Sequence, residues 1–305
     1  MKIKFKHLIQ FLFFSIIPFE VASQKLPHTK VDIKESDARW KTVAQVPKII
    51  KEASGLYIDK NKNFWSHNDD RYPILYCFDS TGVIIKTVYL NHPNKGWEDL
   101  AADDNDNLYI GAFGNNTNDR KDLTIYKINS VNTITAKITT SEAIRYRYND
   151  QHNFPATPSN RNYDADALIA LRDSLFIFTK NRTEPFTGYT RVYSLPQTPG
   201  NYVAELVDSI YIGLGPMMEN WITGADLSPD KRTLALVGHE KIWLINKFNG
   251  SKFSKGKITE IQLPHFTHKA GISFSGNDTL YVVDELEFEI LGGQLYKLQI
   301  ADLKN

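Results

Sequence analysis

Residues 98–110 read Glu98-Asp99-Leu100-Ala101-Ala102-Asp103-Asp104-Asn105-Asp106-Asn107-Leu108-Tyr109-Ile110. A short apolar piece, Leu100 to Ala102, enters a run of Asp and Asn and leaves as Leu108-Tyr109-Ile110. Asp and Asn tolerate positive φ and bond their own backbone, so the run is a tight turn. Tyr, Ile and Leu on the far side favour strand. The stretch is therefore a β-hairpin, and its organisation repeats along the chain.

Equivalent first pieces centre on Leu56, Leu168, Leu227 and Ile272, and second pieces begin at Phe64, Leu175, Leu234 and Leu280. The offsets between them, with Leu100 to Leu108 included, are 8, 8, 7, 7 and 8 residues. A third piece follows each time, as Leu75-Tyr76-Cys77-Phe78, Ile125-Tyr126-Lys127-Ile128, Val192-Tyr193-Ser194-Leu195, Ile242-Trp243-Leu244-Ile245 and Leu295-Tyr296-Lys297-Leu298. A fourth strand is visible at residues 83–90, 204–212 and 257–263. Four-stranded units of this size predict an all-β fold, a single β-propeller with five four-stranded blades. Six blades, one of them built from the insertions, is the alternative count, and a β-sandwich is the rival architecture. The fifth unit lacks a fourth strand. Residues 40–46 are strand-like and are expected to pair beside residues 295–300, closing the ring and removing two open edges.

Glu52-Ala53-Ser54-Gly55-Leu56, Trp65-Ser66-His67-Asn68-Asp69, Gly96-Trp97-Glu98-Asp99-Leu100-Ala101 and Leu108-Tyr109-Ile110-Gly111 resemble secreted bacterial propellers of the NHL-like, SdiA-regulated and phytase-like group. Asp164-Ala165-Asp166-Ala167-Leu168 and residues 223–230 look like later blades of that group, so the resemblance covers most of residues 40–300. It implies the architecture far more than an activity. Trp97-Glu98 with Leu108-Tyr109-Ile110-Gly111 is also faintly similar to calcium-dependent apyrases, whose remaining pattern this chain lacks.

The 305 residues carry 36 Lys and Arg, 35 Asp and Glu, and one Cys. A balanced charge gives no basic surface for nucleic acid. One Cys excludes an intrachain disulfide and any Cys-rich metal site. Lys2, Lys4 and Lys6 precede the apolar run at residues 8–17, and Val21-Ala22-Ser23 follows. This reads as a signal peptide over residues 1–23, leaving a propeller domain at 24–305. Ten apolar residues are too few to span a bilayer, so no membrane span is expected after cleavage. The mature chain would carry a net charge of −1 and be secreted or periplasmic. It is expected to act as a monomer.

Two polar sets recur at fixed phase. Ser54, Glu98 and Asp166 stand two positions before the first-piece Leu in their units. Converging on one axis, they would need a counter-charge, and a divalent cation such as calcium would suit their oxygens. The other reading is that these residues bond neighbouring backbones. The second set ends the second strands: His67 and Asp69, Asn115 and Asn116, Lys180, His239 and Glu240, Asp284 and Glu285. Such a ring of polar groups around one mouth suits ligand binding. Trp65, Trp97, Trp221, Tyr57 and Tyr109 are candidates for a sugar-stacking platform, with strand-core packing the expected use of most of them, and Cys77 reads as a packed thiol.

The function expected from these residues is an exported module that binds a small molecule, a glycan or a protein partner at one mouth. The alternative is a metal-dependent hydrolase of phosphoesters or sugar lactones, with Glu98 and Asp166 on the metal. A third possibility, a purely structural interaction partner, predicts an exposed apolar patch.

Overall fold

A computed structural model describes residues 28–135 and 137–304, so the expected signal peptide lies outside the described residues. Two strands, β1 (Thr29–Asp32) and β2 (Trp40–Gln45), precede the repeat. The first run is β3 (Ala53–Ile58), β4 (Phe64–Asn68), β5 (Ile74–Phe78) and β6 (Ile84–Leu90). The second comprises β7 (Trp97–Ala102), β8 (Leu108–Ala112) and β9 (Thr124–Ile128), then the two-residue β10 (Ile138–Thr139), then β11 (Glu142–Tyr148). The third is β12 (Asp164–Leu171), β13 (Ser174–Lys180), β14 (Tyr189–Pro196) and β15 (Gly200–Tyr211). The fourth is β16 (Gly224–Leu227), β17 (Thr233–Val237), β18 (Lys241–Asn246) and β19 (Lys257–Gln262). The last holds β20 (Lys269–Phe274), β21 (Thr279–Asp284), a small hairpin of β22 (Leu286–Glu287) and β23 (Leu291–Gly292), and β24 (Gln294–Gln299).

Within each run the strands pair antiparallel in order, and β11 pairs with β9 as the fourth strand of the second run. The first strands β3, β7, β12, β16 and β20 touch one another in a closed cycle. That arrangement is a β-propeller. The last run takes its fourth strand from the N-terminus: β2 lies antiparallel to β24, with Trp40 opposite Leu298. The Trp40 ring stacks on Tyr296 at 4.7 Å. Ring closure by residues 40–46 is thus observed.

The strands form where their side chains have two surfaces to bury. Alternate residues of β18 face different neighbours: Ile242 and Leu244 pack toward the last run, and Trp243 and Ile245 toward the third. A buried apolar layer separates every adjacent pair of runs, including the last and the first. The aromatic of each third piece (Tyr76, Tyr126, Tyr193, Trp243, Tyr296) is buried in such a layer. Each contributes roughly 1.5–3 kcal/mol by leaving water. Cys77 packs in the same way, and burial pushes its thiol up to about 12. The turns also follow their residues. Asp59 accepts from the amides of Asn61 and Asn63 at 2.8 and 3.0 Å, and Asp103 from those of Asn105 and Asn107 at 2.9 Å.

The sequence pattern did not single out two features. β11 alternates polar residues with the buried Ile144, Tyr146 and Tyr148, but a long excursion separates it from β9. Outer strands also pair in parallel: β1 on β19, β11 on β15, and β10 on β6 for two residues. Among the described residues, no helix is long and apolar enough to cross a membrane.

At the axis the first strands nearly touch. Gly55 has φ +67°, and a Cβ there would lie 2.8 Å from the Leu100 amide nitrogen. A Cβ on Gly271 would come within 2.8 Å of the Gly55 carbonyl carbon. At the same phase Asp99 is fully buried and ties three first strands together. Its Oδ1 accepts from the Leu100 amide at 2.9 Å, and its Oδ2 from the Leu168 and Ala225 amides at 2.8 and 3.1 Å. Asp226 likewise accepts from the Phe274 amide at 2.7 Å. These acids bond neighbouring backbones.

Candidate functional site

First strands begin, and second strands end, on the same side of the ring. Both polar sets therefore meet at one mouth, a cavity of about 330 Å³. Its wall includes Ser54, Glu98 and Asp166 from the first set, with Asp69, Asn116, Lys180, His239 and Glu285 from the second. Sequence reasoning left out Arg182, Met218, Phe266 and Glu287, which also line it. Arg182 lies two residues past the strand end at Lys180, and Met218 and Phe266 sit in the loops that lead into β16 and β20.

Four expected rim residues lie elsewhere. His67 is fully buried against Trp97, with ring centroids 5.5 Å apart. Asn115 is buried and builds its own loop, its side chain donating to the Tyr163 carbonyl at 2.9 Å. Asp284 is buried and accepts from Tyr296 Oη at 3.0 Å and from the Gln294 amide at 2.6 Å. Glu240 is outside the cavity wall; its carbonyl accepts from the Leu263 amide at 2.7 Å.

The counter-charge that converging carboxylates require is a lysine. Lys180 Nζ pairs with Asp166, and both side chains are buried. The ammonium loses hydration there, but Asp166, Asp164 and Glu98 hold its pKa above the ordinary value. Arg182 is fixed beside it, with Nε 2.5 Å from Asp164 Oδ2 and a second contact to Asn116. The Arg182 guanidinium covers the Trp221 ring at 4.4 Å, and Lys180 Nζ lies 5.1 Å from the same ring. Trp221 is anchored in turn, its Nε1 donating to the Asn181 carbonyl at 2.7 Å.

Burial, then the charges of Asp166 and Asp69, hold Glu98 well above the usual carboxylate range. Burial, with Asp166 and Glu285 nearby, pushes Asp69 up to about 7. Gly114 makes room for Glu98, because any Cβ there would overlap the carboxyl.

The opposite wall is aromatic. His239 stands between Phe266, at 5.3 Å, and His268, at 4.7 Å between ring centroids. His268 Nδ1 lies 3.2 Å from Glu285 Oε1. Burial works against a charge on His268, but Glu285 outweighs it and raises the pKa. Burial, then the neighbouring His268 and Lys180, drives His239 down to about 3, so it is neutral. Both of its ring nitrogens are buried, and neither has a hydrogen-bond partner among the described residues. A buried imidazole that neither donates nor accepts is unusual, since buried polar groups are nearly always paired. The backbone beneath it is fixed by Lys269, which is fully buried and donates from Nζ to the His239 carbonyl at 2.9 Å.

A calcium ion fits this donor set poorly. Ser54 Oγ already donates to the Glu98 carbonyl at 2.7 Å, and Asp166 is taken by Lys180. Among the described residues, no three His, Cys, Asp or Glu side chains gather in a metal-binding group.

The chain is thus a β-propeller with a charged and aromatic mouth. No family profile matches it, and no curated protein matches it. Solved structures similar to it include a streptogramin B lyase, at 13% identity and a TM-score of 0.40, covering 80% of this chain and 66% of that one. The PQQ-bound aldose sugar dehydrogenase from Streptomyces coelicolor is 12% identical with a TM-score of 0.45, covering 85% of this chain and 96% of that one. A putative 6-phosphogluconolactonase from Bacteroides uniformis is 11% identical with a TM-score of 0.39, covering 77% of this chain and 61% of that one. The chain therefore spans just under two thirds of the length of the first of these proteins.

Proposed function

We propose that this chain is a binding module whose mouth takes a small, hydroxyl-rich molecule of the sugar or polyol class. The observation that carries this reading is His239, which lines the cavity and whose two buried ring nitrogens have no hydrogen-bond partner among the described residues. A neutral imidazole offers one donor and one acceptor. The carboxyl groups of Glu98 and Asp69 add further hydrogen-bonding oxygens. Hydroxyl groups both donate and accept, so they satisfy such a wall without bringing a charge into it. Phe266 and Met218, 47% and 51% exposed, give the lip an apolar surface for the C–H face of a ring. About 330 Å³ falls at the lower end of the usual range for small-ligand sites, roughly 300–1,000 Å³.

The rival hydrolase reading needs a metal with an open coordination position, and Lys180 stands where that charge would sit. Calorimetric titration with a panel of mono- and disaccharides tests the proposal. Binding by at least one sugar, weakened about tenfold or more in His239→Ala, is the expected result. A panel that binds no better to the wild type than to His239→Ala would refute it. Calcium should leave the melting temperature unchanged, and phosphoester and lactone substrates should not turn over. Export is part of the same proposal. It rests on residues 1–23, and N-terminal sequencing of protein recovered outside the cytoplasm should begin close to residue 24.

A further inference from the structure

A second cavity lies away from the mouth. A groove of about 810 Å³ runs along the outside of the first run, beside β6. Its wall is rich in apolar groups, among them Tyr72, 70% exposed, and Ile85, 53% exposed. Exposed apolar surface gathered in one place marks an interaction site more often than scattered single residues do.

The edge itself is incomplete. The outer edge of the fourth run is covered by β1 over four residues, and β11 and β15 cover each other over five. β6 is covered by β10 only at Tyr89 and Leu90. Its preceding residues, Ile84 to Val88, have no strand partner on that side among the described residues. A strand edge with unpaired backbone groups is a template for another strand. The outer strands of the second, third and fourth runs are completed by parallel strands, while β2, at the edge of the last run, has none among the described residues.

The charge on the groove points to its occupant. Arg71, Lys86 and Lys137 line it and no carboxylate does, although Arg71 pairs with Glu52 beside the groove at 3.1 Å and Lys86 donates to the Ile134 carbonyl. Lys137 forms no ion pair among the described residues. We propose that the β6 edge is a docking site for an extended peptide of a partner protein, one that alternates apolar with acidic residues. The peptide would add as a strand beside Ile84 to Val88, seat its apolar side chains in the groove and present its carboxylates to Lys137 and the partnered cations beside it. This site is separate from the mouth and does not depend on how the mouth is used.

The probe is a blocked ten-residue peptide alternating valine and glutamate, with a lysine-for-glutamate peptide as control. Fluorescence anisotropy at low salt should show the glutamate peptide binding at least about tenfold more tightly than the lysine peptide. Hydrogen exchange should slow at residues 84–88. The variant Ile85→Asp should abolish binding. The paired change Lys86→Glu with Lys137→Glu, at surface positions, should reverse the peptide preference while the fold is retained. Glu98→Gln in the mouth should change nothing here. Absence of binding, equal binding of both peptides, or protection at another segment would each overturn the proposal. So would a concentration-dependent dimer that protects residues 84–88 without peptide, because a second copy would then be the occupant.

Discussion

Asp99 offers the sharpest test of how the ring is held at its axis. Its carboxyl is fully buried on β7 and receives three backbone amides, from its own strand, from β12 and from β16. Burial holds its pKa well above the usual carboxylate range, against the opposing pull of the three donors. Asp99→Ala leaves three buried N–H groups without acceptors, each costing about 1–3 kcal/mol. A water entering the space left by the carboxyl recovers part of this, so the expected loss is about 3–5 kcal/mol. That is a large share of the roughly 5–15 kcal/mol of a whole fold. Asp99→Asn keeps one acceptor but turns an NH₂ toward at least one amide, and should cost roughly half as much. Asp104→Ala, on the exposed turn nearby, should stay within about 0.5 kcal/mol of wild type. Urea unfolding followed by tryptophan fluorescence measures all three, with equal m-values required for the comparison. An Asp99→Ala loss below about 1 kcal/mol would show that the first strands are held by inter-run packing alone.

Three further outcomes follow from the buried groups. His67 is buried and neutral, with burial driving its pKa from 6.5 to about 4. Its stabilising effect is complete above pH 6.5 and is lost as pH falls toward 4, by about 3 kcal/mol in total. His67→Phe should flatten that acid limb in pH-dependent urea titrations, and an unchanged slope would contradict the assignment. Asp69 has the opposite sign. Its folded pKa of about 7 lies above the ordinary 3.8, so ionising it destabilises the fold as pH rises between those values. Asp69→Asn should remove this decline, seen as a smaller drop in melting temperature between pH 5 and pH 8. Trp40→Ala strips the closing strand of its stacked partner on Tyr296 and should cost about 3–5 kcal/mol by urea unfolding.

How far the sequence could be read depended on the kind of information each feature carries. The runs and their closure were legible because every third piece must bury side chains on both faces, and that requirement leaves a periodic trace. The position of the mouth was legible for the same reason, since the ends of second strands recur at one phase. Which residue at that phase enters the mouth was not. Neighbours at these strand ends part company: Asn116, Lys180, His239 and Glu285 line the cavity, while Asn115, Asn181, Glu240 and Asp284 do not. Adjacent residues of an extended chain point to opposite sides, so an uncertainty of one residue in phase exchanges a ligand-facing group for a buried one. The identity of the counter-charge was hidden more deeply. Glu98 comes from the second run, while Asp166 and Lys180 come from two strands of the third, and only the tertiary structure brings them together. Converging carboxylates in a sequence therefore establish that some positive charge must be present, but not whether it is a metal ion or an ammonium. In this chain a lysine at the end of a second strand provides it.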